Sequence, residues 1–357
     1  MLPNALMNVS RRSLLRGSAK LALAGAAVHL LQPMSALAQS SAVADLVLET
    51  VTGPITGADV EKAMAHEHLY VDFHGPNDPK YMDVDWQSAI GASIAAAQEL
   101  RGQGVNLIIE WTNIGVGRNV LLLRDVARKT GVNIVCPTGI YKSLVPPAMA
   151  EMSVTQMADH FIGELTRGVD GTSIRSGFIK IATTEDGATE TDRKIHRAAG
   201  IAAKETGATV ALHSPHSATT EGVVGTLLEE GFKLDRFVWG HSQPSGHDAH
   251  LAMVERGATV QFDAIGARSD PFFEGPTDDA SMLDRVENIV ANGFPNQVIL
   301  SADASVFVNP AVWQYDRDAT YVYRYFEAKL IERLGAENAQ RVLRDNVIRA
   351  FRRGDKV

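Results

Sequence analysis

Two histidines separated by one residue, His66 and His68, close an apolar stretch and are the side chains best placed to do chemistry. Successive side chains on a β-strand point to opposite faces, so both imidazoles point the same way. Two imidazoles among apolar neighbours suit a divalent ion such as zinc. A His-x-His pair alone is more often a surface or structural accident, so the interpretation depends on the rest of the chain.

Further polar residues follow, each at or near the end of another apolar, strand-like segment. They are Lys180 within Gly-Phe-Ile-Lys-Ile-Ala, His213 after Thr-Val-Ala-Leu, His241 after Phe-Val-Trp-Gly, and Asp303 after Val-Ile-Leu-Ser-Ala. In a parallel barrel, chemistry is located where the strands pass into loops, so these side chains are predicted to converge. Burying an ammonium group is costly, which means that a lysine inside such a strand needs a specific reason.

The segments that carry these residues belong to a regular alternation of strand-like and helix-like patterns. Most apolar runs are continuous, as expected for parallel strands covered on both faces. Eight alternations without a long linker favour an α/β fold, a closed (β/α)8 TIM barrel, over an open sheet. The predicted strands are Lys62–Leu69, Val105–Trp111, Val132–Pro137, Gly177–Ala182, Thr209–His213, Phe237–His241, Thr259–Phe262 and Gln297–Leu300. The predicted helices between them are Ala89–Gln103, Val120–Thr130, Val154–Gly168, Asp192–Glu205, Thr220–Glu230, Ala249–Arg256 and Met282–Ala291.

Additional elements flank the predicted barrel. A short N-terminal β-hairpin is predicted over Leu46–Ile55, and C-terminal helices over Thr320–Leu334 and Ala336–Phe351. The single cysteine, Cys136, excludes an intramolecular disulfide. Because it lies in an apolar strand-like run, we expect a buried and inert thiol.

The N-terminal residues have the features of an export signal rather than of a folded element. Arg11 and Arg12 precede an apolar run from Leu21 to Leu31, which leads to Ala36-Leu37-Ala38. This order is typical of a twin-arginine (Tat) signal peptide cleaved after about Ala38. The apolar run is too short to span a bilayer, so no stable membrane anchoring is expected. We therefore predict a signal over residues 1–38, a single barrel domain over 39–357, the Tat export machinery as a partner, and a periplasmic location.

The charge of the chain limits its partners. It has 34 Lys and Arg residues against 42 Asp and Glu, a formal net charge of −8. Four of the basic residues lie in the predicted signal, which contains no acidic residue, so the remainder is more acidic still. Binding to nucleic acid or to an anionic membrane needs a basic surface, so neither is expected as a partner.

The ordered set of strand-end residues resembles the metal ligands of the phosphotriesterase family of amidohydrolases. Supporting stretches are Val51-Thr-Gly-Pro-Ile, Gly117-Arg118-Asn119 and Thr138-Gly139-Ile140-Tyr141, and the resemblance extends from about Thr50 to Phe351. It implies that His66, His68 and Asp303 hold a buried metal ion and that His213 and His241 hold a more exposed one. Lys180 would bridge the two ions after carbon dioxide converts it to a carbamate.

The resemblance also implies the cofactors and the catalytic residue. Two divalent ions are expected, zinc in the first place, with cobalt, manganese and iron as alternatives. Such ions lie ~3.5–4 Å apart and share a hydroxide, because metal lowers the pKa of bound water. Asp303 would orient this hydroxide and take its proton.

Residues near the expected centre are assigned to a substrate pocket or to supporting roles. Tyr141 resembles a pocket tyrosine of the family's lactonases, with packing under the loops as the alternative. Phe307 and Trp313 would wall a leaving-group pocket, with core packing as the equal alternative. Glu110 and Asp263 are expected to hydrogen-bond near the ligands rather than to bind metal. The remaining loop and helix histidines, including His196 and His250, are expected at the surface.

Three functions remain open from the sequence. The leading one is a binuclear metal hydrolase that cleaves ester-type bonds, with a phosphotriester favoured as the small-molecule substrate. The alternative is a lactonase or carboxylesterase with incidental phosphotriesterase activity; Ala264 stands where the family's lactonases carry an arginine. From a different class comes a catalytically silent, zinc-binding periplasmic scaffold, against which the retention of Asp303 argues. A homodimer is expected from the family.

Overall fold

The computed structural model describes residues 43–184, 186–267, 276–311 and 317–356. The predicted signal segment and Trp313 lie outside the described residues, so both assignments stay predictions, as do the domain boundary at residue 38 and the homodimer. Among the helices that the structure describes, none is both long enough and apolar enough to cross a membrane.

The predicted (β/α)8 barrel, with its N-terminal hairpin and C-terminal helices, is confirmed. The strands are β1 (Val47–Thr50), β2 (Gly53–Thr56), β3 (Lys62–Asp72), β4 (Val105–Glu110), β5 (Asn133–Val135), β6 (Pro137–Thr138), β7 (Phe178–Ala182), β8 (Val210–His213), β9 (Phe237–Gly240), β10 (Thr259–Phe262), β11 (Val298–Leu300) and β12 (Ser305–Asn309). The α-helices are α1 (Trp86–Gly102), α2 (Val120–Thr130), α3 (Val154–Thr166), α4 (Glu190–Thr206), α5 (Ser217–Glu229), α6 (His247–Glu255), α7 (Asp279–Ala291), α8 (Glu327–Leu334), α9 (Ala336–Gln340) and α10 (Asn346–Phe351). Short π-helical segments, Val322–Phe326 and Arg341–Asp345, precede α8 and α10.

The barrel strands are parallel and follow the chain order around the barrel. One run of pairing joins β6 through β11 in sequence, and a second joins β12, β3, β4 and β5. Between the two runs, the Gly177 amide donates to the Cys136 carbonyl (2.9 Å). On the other side, β3 and the last strands are tied by amide-to-carbonyl bonds from His68 to Ala304 (2.9 Å) and from Asp303 to His66 (3.1 Å). The hairpin of β1 and β2 is antiparallel.

The first strand of the barrel, β3, is longer than the sequence predicted. The apolar run suggested an end at Leu69, whereas β3 continues to Asp72. The reason is β12, which follows Asp303 and pairs with the second half of β3, placing Phe307 opposite Tyr70 and Asn309 opposite Asp72. The apolar run of β12, Val306-Phe307-Val308, is only three residues long and follows Asp303 closely, so the sequence pattern did not reveal it as a strand.

Local signals explain the helix limits. Asn119 and Thr189 accept backbone hydrogen bonds at the starts of α2 and α4, and both helices end on a left-handed glycine, Gly131 and Gly207. The core lies between the strands and the helix layer. Cys136 is fully buried there, as predicted, and burial raises the pKa of its thiol to about 12.

The prediction that the remaining helix histidines lie at the surface is wrong for two of them. His196 on α4 and His250 on α6 are fully buried. The Nε2 atom of His196 lies 3.0 Å from the carbonyl of Ala182, the last residue of β7. The Nε2 atom of His250 lies 2.8 Å from the carbonyl of Ser242, just after β9. A neutral imidazole can be buried when one ring N–H donates to such a carbonyl, and burial lowers the pKa of His250 to about 4.

Candidate metal centre

The structure brings the predicted ligands together at one mouth of the barrel. The His66 ring centroid lies 5.3 Å from that of His68 and 4.9 Å from that of His241, and His213 lies 4.2 Å from His241. Lys180 Nζ lies 4.9 Å from the centroid of the Trp111 ring, which stacks on His66 at 3.7 Å. Strands β3, β7, β8, β9 and the β11–β12 turn therefore deliver side chains to a single site.

Asp263, just after β10, orients two of the histidines. Its Oδ2 lies 3.1 Å from His66 Nδ1 and its Oδ1 lies 2.9 Å from His241 Nδ1. The His241 amide and the Gln243 side chain donate to the same carboxylate (both 3.0 Å). Burial opposes ionisation, but these donors hold the pKa of Asp263 well below its ordinary value. With both Nδ1–H groups bound to Asp263, the Nε2 lone pairs of His66 and His241 face away from it.

His68 is oriented through a second carboxyl group, that of Glu110. Its Nδ1 lies 2.8 Å from Thr112 Oγ1, which donates to Glu110 Oε1 (2.6 Å). Glu110 is buried at the end of β4, and burial raises its pKa to about 8. The sequence placed Glu110 beside the ligands; the structure places it one hydroxyl away from His68.

Asp303 faces the first histidine pair with one oxygen. Its Oδ1 lies 3.2 Å from His68 Nε2 and 3.4 Å from His66 Nε2. Its Oδ2 accepts a hydrogen bond from Arg317 Nη1 (2.6 Å). Burial alone would raise the pKa of Asp303, but the charge of Arg317 keeps it below its ordinary value. The carboxylate is therefore ionised at neutral pH.

Lys180 and His213 have fewer polar partners than the other ligands. Lys180 is 1% exposed, and its ammonium lies over the rings of Trp111 (4.9 Å) and Tyr141 (5.5 Å). Burial lowers its pKa to about 8. His213 Nε2 lies 3.3 Å from Tyr141 Oη, and burial keeps the pKa of His213 well below its ordinary value. Next to Lys180, Gly139 has φ +94°, and any Cβ there would collide with the Lys180 carbonyl.

The donor set fits divalent metal ions. His66 Nε2 is buried without a hydrogen-bond partner, as expected for a lone pair reserved for a metal ion. The ligand atoms of His66, His68 and Asp303 lie within 4.8 Å of one another. Burial lowers the pKa of His66 to about 3, so its imidazole is neutral, the form that binds metal. His66, His241 and Asp263 also cluster, but the hydrogen bonds of Asp263 make it an orienting group.

The pocket residues lie at different distances from this centre. Tyr141 reaches His213 through its hydroxyl. Phe307 lies on β12 with its ring 6.1 Å from that of Tyr70 and packs against the core, which favours the packing alternative. Trp313 is outside the described residues.

Two buried charged residues beside the centre were missed by the sequence interpretation. Glu67 is 2% exposed and bonds to the turn that carries Asp303, and Arg317 bonds to Asp303 itself. A signal for Glu67 was present, because a glutamate between two inward-facing histidines of an apolar strand must find donors behind the strand. No comparable sequence signal pointed to Arg317, because no local pattern marks its contact with Asp303.

Fold and site together define an α/β barrel with a candidate metal centre at one mouth, and the comparisons with known proteins place it among hydrolases. The sequence profile of the phosphotriesterase family matches residues 46–351. The chain belongs to the phosphotriesterase family.

Individual relatives give the same result. The phosphotriesterase homology protein of Escherichia coli (strain K12) is 32% identical over 243 residues, covering 67% of this chain and 80% of the relative. An aryldialkylphosphatase of Saccharolobus solfataricus is 29% identical over 256 residues, covering 70% and 78%. The solved structure of the phosphotriesterase from Mycobacterium tuberculosis superposes with a TM-score of 0.76 at 26% identity, covering 86% of this chain and 99% of that one.

Proposed function

We propose that this hydrolase uses two divalent metal ions to cleave ester-type bonds, with phosphotriesters as the favoured substrates. The observation that carries the proposal is the convergence of His66, His68, His213 and His241 with Lys180 and Asp303 at one barrel mouth. His66, His68 and Asp303 would hold one ion, and His213 and His241 the other. Lys180, as its carbamate, would bridge them.

When bound, the ions would supply Lewis acidity toward the scissile phosphoryl or carbonyl group and would acidify a water molecule. The residues of the chain do the rest. Asp263 and Thr112 fix the imidazoles. Asp303 accepts a hydrogen bond from the attacking water and takes its proton at a carboxylate oxygen. The oxygen of the water adds to phosphorus or to the carbonyl carbon, and the bond to the leaving oxygen breaks. The leaving alkoxide or phenolate then takes up the proton that Asp303 accepted, which gives the alcohol or phenol and restores the carboxylate.

Two observations support phosphotriesters over lactones. A relative that covers 70% of this chain is named an aryldialkylphosphatase. Ala264, at the position where the family's lactonases carry an arginine, is fully buried in the apolar core, so its position offers no cation to a lactone ring. Tyr141 lies at the centre as a lactonase pocket residue would, which keeps lactones as the second candidate.

The test is the initial rate of the purified, metal-loaded protein on an aryl phosphotriester, an aryl carboxylic ester and a δ-lactone. Asp303→Asn serves as the blank, and Asp284→Asn, an exposed change on α7, as the matched control. We expect a phosphotriester rate that Asp303→Asn lowers by at least ~100-fold and Asp284→Asn leaves unchanged. A higher rate on the lactone would assign the lactonase function, and two bound ions without turnover on any substrate would favour the scaffold.

A further inference from the structure

The turn that carries Asp303 has an unusual backbone. Asp303 has φ +50°, in the left-handed region that non-glycine residues seldom adopt. The turn connects β11 to β12, and its amide at Asp303 donates to the His66 carbonyl (3.1 Å). Such a conformation persists where the surroundings determine it, so the contacts of the neighbouring peptide groups show what holds it.

Glu67 holds this turn from the side of β3. Its Oε1 accepts hydrogen bonds from Ser301 Oγ (2.8 Å) and from the Ala302 amide (3.2 Å). Its Oε2 accepts a hydrogen bond from the Ala304 amide (2.8 Å). The two amides that flank Asp303 therefore donate to the same buried side chain, Glu67.

Arg317 holds the same turn from the opposite side of the peptide groups. Its Nη1 lies within hydrogen-bond distance of the carbonyls of Ala302 (3.1 Å) and Asp303 (3.0 Å). The same nitrogen lies 2.6 Å from Asp303 Oδ2. The Arg317 side chain is 4% exposed, so it is committed to these contacts rather than to solvent.

We propose that Glu67 and Arg317 are positioning residues that form a clamp on the Asp303 turn. Glu67 binds its amides, and Arg317 binds its carbonyls and one carboxylate oxygen. As a result, Asp303 presents Oδ1 alone to His66 and His68 and acts as a ligand through a single oxygen. The inference rests on the proposed function, because it assigns this clamp to the ion held by Asp303, His66 and His68.

The clamp is expected to affect the binding of one ion more than that of the other. Glu67 and Arg317 bind the turn whose Asp303 Oδ1 faces His66 and His68, whereas His213 lies beside Tyr141 and Lys180 lies over aromatic rings. Loosening the clamp should therefore weaken the ion held by Asp303 more than its neighbour. Partners of metal ligands typically contribute 10–100-fold to metal affinity, which sets the size of the effect.

The experiment measures stepwise zinc affinity by competition with a chromophoric chelator in full-length protein. Arg317→Met keeps the length of the side chain without its donors, and Glu67→Gln places an amide N–H against the amide of Ala304. Arg324→Met and Glu255→Gln, both exposed, are the matched controls. The absorption spectrum of the cobalt-loaded protein reports the ligand geometry independently of turnover, and circular dichroism reports folding.

We expect Arg317→Met and Glu67→Gln each to weaken one of two zinc ions by at least ~10-fold and to alter the cobalt spectrum, with both controls unchanged. Arg317→Lys, which restores a cationic donor, should recover part of the affinity, and it replaces Arg317→Met if that variant does not fold. Wild-type affinity for both ions in either clamp variant would overturn the clamp. If the wild-type protein itself binds no zinc, the proposed function fails instead, so the two failures are distinguishable.

Discussion

The candidate metal centre has two halves, which differ in how far hydrogen bonds orient their side chains. The oriented half consists of His66, His68 and His241, whose Nδ1 atoms are bound to Asp263 or, through Thr112, to Glu110. The open half consists of Lys180 and His213, which lie against the rings of Trp111 and Tyr141. Carboxyl groups orient the oriented half through hydrogen bonds, and aromatic rings surround the open half.

This difference indicates which part of the candidate centre is organised before metal binds. Fixing a ring tautomer by an Nδ1 hydrogen bond directs the Nε2 lone pair, so the three histidines of the oriented half, which would serve both proposed ions, are aligned for metal binding. A buried ammonium has three donors and no lone pair, so Lys180 must lose a proton before it can become a ligand, and it would have to react with carbon dioxide to become a bridging anion. In the proposed centre, the open half would therefore be completed by carbamate formation on Lys180, whereas the oriented half is organised by folding.

The largest expected effect comes from removing Asp263, because that single change releases two histidines of the oriented half. Asp263→Ala should lower metal affinity by more than ~100-fold, since each oriented ligand is worth 10–100-fold. It also leaves buried donors of His66, His241 and Gln243 unpaired, which should lower the free energy of unfolding by ~3 kcal/mol. Chelator competition and urea denaturation measure the two quantities, and wild-type affinity in this variant would contradict the distinction between the halves.

The open half can be tested through pH, because only the neutral amine of Lys180 reacts with carbon dioxide. Burial lowers its pKa from 10.5 to about 8, so the neutral fraction grows about tenfold per pH unit below 8 and levels off above it. The rate of carbamate formation at constant dissolved carbon dioxide should therefore rise about 50-fold between pH 6 and 8, because the neutral fraction grows from about 1% to about 50%. The rate can be followed by carbon-13 NMR with labelled carbon dioxide, and a rate that keeps rising to pH 10 would show an ordinary lysine.

A smaller effect is expected from the hydroxyl that joins His68 to Glu110. Thr112→Val keeps the shape of the side chain but leaves His68 Nδ1 without its partner, so zinc affinity should fall by ~10-fold. Thr226→Val, on the outer part of α5, is the matched control. An unchanged affinity would place His68 with the open half and reduce the oriented half to the two histidines held by Asp263.

The sequence predicted the barrel because its signals are local. Continuous apolar runs, helix-stopping glycines such as Gly131 and Gly207, and the spacing of the elements each reflect short-range physics. The convergence of His66, His68, Lys180 and His213 at one mouth of the barrel then followed from the geometry of the fold. What could not be predicted depends on contacts between distant segments: the pairing of β12 with β3, the donors that bury His196 and His250, and the contact of Arg317 with Asp303.

The smallest expected effect concerns the hydroxyl of Tyr141, which touches the open half alone. Its oxygen lies 3.3 Å from His213 Nε2, a long hydrogen bond to an atom that would turn to an ion in the loaded protein. Tyr141→Phe should therefore change zinc affinity less than ~2-fold, because the ring that packs beside Lys180 and His213 is retained.

If the Tyr141 hydroxyl instead contacts substrate, KM should rise several-fold on one class of substrate while metal affinity stays constant. Comparing KM for a lactone and a phosphotriester in this variant decides between the two roles, and a loss of zinc affinity as large as that of Thr112→Val would show that the open half, too, depends on a hydrogen-bonded partner.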